Sequence, residues 1–566
     1  MKVTTSGAGS TSIFSQRAGG RMLLAVGVGF ALIMLVVVLT QPQLLKHSVA
    51  SLESRWGNDF YAYDRSLAEK WSIAIGSYLR NFSTELADIP ELVIDVPFKN
   101  MSKIYAKRDE ALRIGNLIQG PDDFVKGEIR YNDKTLPIKL RLKGDWNDHL
   151  GGRKWSFRVH ARNGEQLFGM RRFSLQSPAT RGFQAELLFF DVMRRFGVMA
   201  PRYQFVTVTL NGDSMGLMAL EEFFAKEFVE FNRRREGVVV RFDESFVWRA
   251  KDSLSGESVG WNGAYDHYSN TEIDAIGSGR IAESPALSRQ YEIAVGLLRG
   301  FVDETLEPSE VFDVKLSGRY LAIIDMFGAW HASRWPNVRF YLNPVTLKLE
   351  PIAYDANLQK PWMDERSIVN DEPLVAAWVA DPKIAAAYRE TLAELQHQLL
   401  SGELEGKLRE VEAEHLPTLQ TEYRMLGPML LNYLAPRTDS LLQRLNATGG
   451  RPSSHITWVG EMRPYPQLAH ALRFERDKEH YLELTNAIPK DVEVMGAAWI
   501  VAGTDERVTI LVEQLPLQLS PRGIGSRPER HVLKLPALVS EGAGRLEVQV
   551  RLDRRPWFQT LKVPKG

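Results

Sequence analysis

Residues 337–357 read NVRFYLNPVTLKLEPIAYDAN. Residues 338–343 alternate as a strand does, Asn343-Pro344-Val345-Thr346 carries turn chemistry, and 347–354 runs back. Upstream, LSGRYLAIIDMFGAW (316–330) reads as a buried helix. HASRWP (331–336) leaves it as a loop, because Pro336 cannot continue a helix. In an antiparallel hairpin the start of the first strand lies beside the end of the second. Asn337 and Asp355 are therefore expected to be neighbours, as are His331 and Asn357. An amide oxygen beside a carboxylate suits Mg²⁺, a hard cation that takes few protein ligands and leaves room for phosphate and water. The same two residue types also serve simply as turn formers at hairpin ends.

Working outward, LPIKLRLKG (136–144) places Leu136, Ile138, Leu140 and Leu142 on one face and Lys139, Arg141 and Lys143 on the other. KWSFRVH (154–160) repeats the pattern, with Lys154, Ser156, Arg158 and His160 on the polar side. As neighbours these strands would share one cationic face, either solvated or built to hold an anion such as phosphate. A helix follows with Ala185, Leu188, Phe189, Val192 and Phe196 as its apolar stripe and Gly197 as its stop. YQFVTVTL, Asn211-Gly212 and GLMALEEF then form a hairpin signal that ends on Glu221 and Glu222. Residues 252–280, rich in Ser, Gly and Asn, read as a surface insertion, with a substrate lid as the alternative.

The chain has 566 residues, 44% hydrophobic and 25% charged, which suits two or three folded units. Lys+Arg and Asp+Glu both number 70, so nothing supports a nucleic-acid-coating role. With no cysteine, disulfides, thiolate metal sites and a cysteine nucleophile are excluded. Residues 22–40, MLLAVGVGFALIMLVVVLT, carry no charge and at about 1.5 Å per residue approach the roughly 30 Å of a bilayer core. A cleaved signal peptide is the competing reading, but Gln41-Pro42-Gln43 offers no small-residue cleavage site. Lys2, Arg17 and Arg21 precede the segment, which favours a cytoplasmic N-terminus and a periplasmic or cell-surface body. The expected organisation is a tail (1–21), a transmembrane anchor (22–40), a helical stalk (41–90), a mixed α/β domain (91–446) and, after a linker, a β-sandwich-like domain (455–566).

RLKGDWNDHLGGRKWSFRV (141–159), FGMRRFSLQSPATR (168–181), LNGDSMGLMALEEFF (210–224) and the 337–357 hairpin occur in this order. Together they resemble the CotH family of spore-coat-type atypical kinases, over roughly residues 91–370, with helices to about 446 completing the larger lobe. The resemblance implies an α+β, two-lobed, protein-kinase-like domain that uses ATP and Mg²⁺. Carried over, Lys154 would orient the nucleotide phosphates, with Lys143 as the competing candidate. Glu222 would pair with that lysine or help hold metal. Asp355 would bind metal, assisted by Asn337. His331 stands where the family has an aspartate as candidate base, and Asn357 replaces the second aspartate of the metal motif. Histidine accepts a proton near neutral pH; Asp325 lies a helical turn or more earlier and is a less natural substitute.

Two functions follow as expectations. One is a membrane-tethered Mg²⁺-dependent kinase acting on an extracytoplasmic protein or surface polysaccharide. The other is a non-catalytic envelope or coat assembly protein with a pseudokinase core. Nothing in the sequence addresses its oligomeric state. No nucleophile-elbow, zinc-protease, P-loop or dinucleotide motif stands at a convincing strand–helix junction. His149 reads as structural or as a substrate contact.

Overall fold

The computed structural model describes residues 72, 73, 75, 76 and 89–566, except 245–272 (apart from Tyr268 and Thr271), 303, 359–366, 371, 448–468, 487–490, 503, 505, 511, 513, 521–528, 537–543, 553–557 and 564–566. The apolar segment 22–40, the tail before it and nearly all of the expected stalk lie outside the described residues. Among the described residues no helix is long and apolar enough to cross a membrane.

Seven strands close into a barrel in the order β1-β2-β3-β4-β5-β7-β6. They are β1 (Glu91–Asp95), β2 (Val125–Tyr131), β3 (Lys134–Leu142), β4 (Phe157–Ala161), β5 (Arg172–Gln176), β6 (Tyr203–Leu210) and β7 (Asp213–Glu222). Alternation decides which side each residue takes. Leu136, Ile138, Leu140, Phe157, Val159 and Phe173 fill the interior, while the polar residues between them face out. β3 and β4 are neighbours as expected, with Lys139 opposite His160 and Arg141 opposite Arg158. The Asn211-Gly212 turn joins β6 to β7, both residues at positive φ. Asn211 also staples β1, accepting from Val96 N at 2.7 Å and donating to Val96 O at 3.0 Å. The two-lobed expectation meets a closed barrel rather than an open small-lobe sheet. The cause is β1, which pairs antiparallel with β2 and parallel with β6 and so removes both free edges.

Helix α1 (Phe98–Ile114) follows β1, and α2 (Ala185–Arg195) connects β5 to β6. The predicted stripe of α2 is buried, but so are Glu186, Leu187, Phe190 and Met193, so this helix is enclosed rather than half-exposed. After α3 (Lys226–Phe231), strands β8 (Val239–Phe242), β9 (Ile273–Ala275), β10 (Arg339–Leu342) and β11 (Leu349–Ile352) form a second sheet in the order β11-β10-β8-β9. β10 and β11 make the predicted hairpin, Arg339 opposite Ile352. Most of the expected 252–280 insertion, including Trp261, Tyr265 and His267, lies outside the described residues, but its end supplies β9.

Helices α4 (Ser278–Glu283), α5 (Pro285–Val302) and α6 (Pro308–Val311) lead to α7 (Val314–Phe327). Asp313 caps α7 by accepting from Leu316 N, and Gly328 ends it in the left-handed conformation. The chain then makes one further helical turn, α8 (Trp330–Ser333), so His331 sits on a turn of helix and not in the expected loop. Helices α9 (Pro373–Val379), α10 (Pro382–Leu400), α11 (Glu403–Gln420) and α12 (Leu434–Ala447) complete this part, with α10 packed on α7. Strands β12 (Ala469–Arg476), β13 (Glu479–Asn486) and β17 (Arg530–Lys534) form a three-stranded sheet. β14 (Val492–Val501), β15 (Arg507–Ile510), β16 (Leu517–Leu519), β18 (Gly544–Leu552) and β19 (Phe558–Val563) form a five-stranded one. Leu482 and Leu484 share one core with Trp499, Leu546 and Val548, so the two sheets pack as layers.

Candidate active site

The outer face of β3, β4, β5 and β7 is exposed at Lys139 but closed off at the end that carries Lys143. Lys143, Arg158, Ser174, Gln176 and Glu221 on or beside it are all buried. Lys143 Nζ donates to Gln176 Oε1 at 2.6 Å and meets Glu221 Oε2 at 3.1 Å, and Gln176 Nε2 donates to the same Glu221 oxygen at 2.7 Å. Burial pushes the Lys143 ammonium down to about 8, against the pull of Glu221. Burial opposes the charge of Glu221 as well, but Lys143, Arg181 and Arg158 outweigh it and hold this carboxyl below the usual range. The Arg158 guanidinium lies 3.4 Å from the centre of the Phe223 ring.

Asp355 stands three residues beyond β11, in the left-handed region at φ 49°. Its Oδ1 is 2.8 Å from Arg181 Nη1 and 3.5 Å from His331 Nδ1. Burial would raise this carboxyl, but Arg181 and the contact with His331 hold it well below the carboxylate range. Asn357, also at positive φ, brings Nδ2 to 3.3 Å from His331 Nδ1, and Asn337 Nδ2 donates to the His331 carbonyl at 3.1 Å. His331 thus bridges the hairpin's two ends: its ring meets Asp355 and Asn357, and its carbonyl meets Asn337. Behind them Glu186 accepts from Ala356 N at 3.1 Å. Burial, with Asp355 and Glu221 nearby, pushes Glu186 up to about 8 against the opposing charge of Arg181.

Lys154, Glu222 and Asp325, singled out from sequence, sit apart from this cluster, whereas His149 lies close enough to feel the charges of Arg181, Lys143 and Asp355. Lys154 Nζ is tied to Glu422 Oε1 and to Leu217 O, each at 2.6 Å. Gly216, at φ 72°, makes room for that glutamate, since a side-chain carbon there would lie 2.5 Å from Glu422 Oε2. Glu222 pairs with Arg202, Nη2 to Oε1 at 2.5 Å, so the expected Lys154–Glu222 pair does not form. The reason is the strand period. Glu221 and Glu222 point to opposite faces of β7, and it is Glu221 that meets a lysine. Asp325 is fully buried and held by Ile368 N at 3.1 Å, Tyr388 Oη at 2.7 Å, Arg437 Nη2 at 3.1 Å and Ser367 Oγ, which makes it a tether for the helices. His149 bonds Ser156 Oγ at 2.9 Å and packs where a side chain on Gly144 would overlap its ring.

Sequence reasoning missed Arg181, Glu186, Gln176 and Glu221 as members of the cluster. PATR was part of a quoted motif, but nothing local shows that its arginine reaches Asp355. A cavity of about 550 Å³, lined by Lys103, Lys107, Gln119 and Leu142 among others, lies beside α1 and contains none of the predicted site residues.

The residue set fits a polyphosphate with a divalent cation. Lys143, Arg158 and Arg181 are concentrated in low dielectric beside the two charged carboxylates Glu221 and Asp355. Arg181 Nε and Ser174 Oγ are buried without a hydrogen-bond partner, which an anion or its water would supply. Asp355 and the amide oxygens of Asn337 and Asn357 are hard donors of the kind Mg²⁺ accepts.

The family model for CotH, described as CotH kinase protein, matches residues 140–430, slightly more than half of the chain. The chain belongs to the CotH kinase family. The matched region holds every residue of the cluster described above. None of the curated proteins compared with the chain matches it.

Proposed function

We propose that this protein is a Mg²⁺-dependent phosphotransferase. On this reading residues 22–40 anchor it in a membrane, and residues 91–446 form a kinase-like body, built on the closed barrel, outside the cytoplasm. It acts on an extracytoplasmic protein or surface polysaccharide. The observation that carries the reading is the meeting of two buried ion pairs, Lys143–Glu221 and Arg181–Asp355, close enough to act on each other's charge. A lysine fixed by a glutamate, facing an aspartate on the loop after a short strand pair, is the electrostatic frame of phosphoryl transfer in kinases.

On this reading Lys143 holds the nucleotide phosphates, and Glu221 with Gln176 fixes where its ammonium sits. Lys154 takes no part. Asp355 holds the metal, with Asn337 and Asn357 as the neighbouring oxygen donors. Bound Mg²⁺ would supply charge neutralisation on the transferred phosphoryl group. His331, with Nδ1 beside Asp355, is the group placed to take the proton of an acceptor hydroxyl. Most of the rate enhancement would come from positioning and from charges already in place.

A second reading has one observation in its favour. His331 stands where the family has its aspartate, and a histidine whose ring already touches Asp355 and Asn357 also serves as a brace. The protein would then be an assembly or binding protein of an envelope or coat. Incubating the full-length protein with γ-labelled ATP and Mg²⁺ or Mn²⁺ separates the two. Label on the protein or on an added acceptor, lost in Asp355→Ala and Lys143→Met, supports transfer. Nucleotide binding without any transfer favours the second reading.

A further inference from the structure

Asp355 and Asp325 are both buried aspartates paired with an arginine, but they are held differently. Asp325 receives Ser367, Ile368 N and Tyr388 in addition to Arg437. Asp355 Oδ1 receives Arg181 at 2.8 Å and a marginal contact from His331 at 3.5 Å. Arg181 is itself incomplete, since its buried Nε has no partner. With Arg181 6% and Asp355 8% exposed, solvent does little to screen this pair. The backbone around Asp355 is fixed without Arg181: Ala353 N donates to Met199 O at 2.8 Å and Ala356 N donates to Glu186.

We propose that Arg181 is the resting counter-ion of Asp355. Its guanidinium neutralises the carboxylate until a divalent cation replaces it, and then turns to the phosphate oxygens. The inference rests on the reading of Asp355 as the metal-binding carboxylate. Arg181 is a positioning residue in this scheme. It stands against binding of the metal alone, because it already holds Asp355 Oδ1 and its positive charge, in a dry site, repels a second cation. It favours the nucleotide, because a planar guanidinium fork matches phosphate. Metal and nucleotide thereby bind better together than either does alone.

The test is Mn²⁺ binding to the full-length protein in the absence of nucleotide, followed by metal-free ATP binding. The proteins compared are wild type, Arg181→Gln, Arg181→Lys and Asp355→Asn. Arg181→Gln is expected to melt lower without metal, to bind Mn²⁺ about tenfold more tightly than wild type and to gain more melting temperature from it. Its metal-free ATP affinity is expected to fall. Arg181→Lys should shift both affinities in the same directions by less, and it stands as the test if Arg181→Gln does not fold. Asp355→Asn should abolish the Mn²⁺ response. An arginine with a merely structural role would weaken metal and nucleotide binding together. Mn²⁺ affinity equal to or below wild type in a folded Arg181 variant overturns the inference, while an Asp355-dependent metal–nucleotide response in wild type leaves the functional reading intact. If no protein takes up Mn²⁺, the inference and the metal role of Asp355 fall together.

Discussion

Lys143 and Glu221 form an ion pair at 3.1 Å with side chains only 6% and 1% exposed, whereas Lys154 and Glu422 form one at 2.6 Å with side chains 20% and 36% exposed. The two lysines were the competing candidates for the phosphate site, and their surroundings separate them. Removing one partner of the buried pair strands a charge and costs about 3–5 kcal/mol, whereas a surface pair contributes about 0–1 kcal/mol. Lys143→Met is expected to lose nucleotide binding and to melt well below wild type. Lys154→Ala should keep nucleotide binding with a small change in melting temperature. Nucleotide titration and thermal melts of both variants check this.

Burial brings Lys143 down to about 8 from an ordinary 10.5. Between those values the unfolded chain holds the proton and the folded one does not, so this group's contribution to stability grows as pH rises. The charge proposed to hold the nucleotide phosphates is lost over the same rise. Nucleotide affinity is therefore expected to fall as pH passes upward through about 8. Lys143→Arg keeps its charge there, and a flat affinity profile in that variant is the measurement that checks the assignment.

Glu186 has the opposite sign. Its carboxyl is pushed up to about 8 from 4.5, so the folded protein holds the proton more tightly than the unfolded chain. Its contribution to stability is full below about 4.5 and is lost as pH rises toward 8. Glu186→Gln should remove this part of the decline, seen as a flatter plot of melting temperature against pH over that interval.

Asp325→Ala is expected to destabilise strongly, by about 3–5 kcal/mol, because it removes the buried carboxylate that pairs with Arg437 and accepts from Ser367, Ile368 N and Tyr388. Asp325 touches none of the cluster's residues, so the folded fraction should bind nucleotide with wild-type affinity. Chemical denaturation paired with nucleotide titration checks both halves.

Local patterns carried much of the fold. The alternation of 136–142 placed the leucines inside the barrel, Asn211-Gly212 made its hairpin, and 338–354 paired as β10 and β11. Patterns failed where a one-residue or long-range decision was needed. The alternating run 154–160 extends past the true start of β4 at Phe157, so Lys154 does not share the face of Arg158. Choosing Glu222 over Glu221 selected the wrong face of β7 as the partner of a lysine. Closure of the barrel depends on β1 pairing with β6, a contact between distant segments that no local signal announces. Arg181 and Glu186 reach the cluster through a tertiary packing of α2 and the turn before it, for the same reason.

The most direct test of the central claim is nucleotide binding seen through stability. The full-length protein is melted with ATP alone, with Mg²⁺ or Mn²⁺ alone, and with both, for wild type and Asp355→Ala. A ligand present at about 100 times its dissociation constant adds about 2.7 kcal/mol. The account predicts a clear upward shift with ATP and metal together in wild type and none in Asp355→Ala. No shift at millimolar ATP with either metal, or an equal shift in both proteins, would contradict a metal–nucleotide site at Asp355.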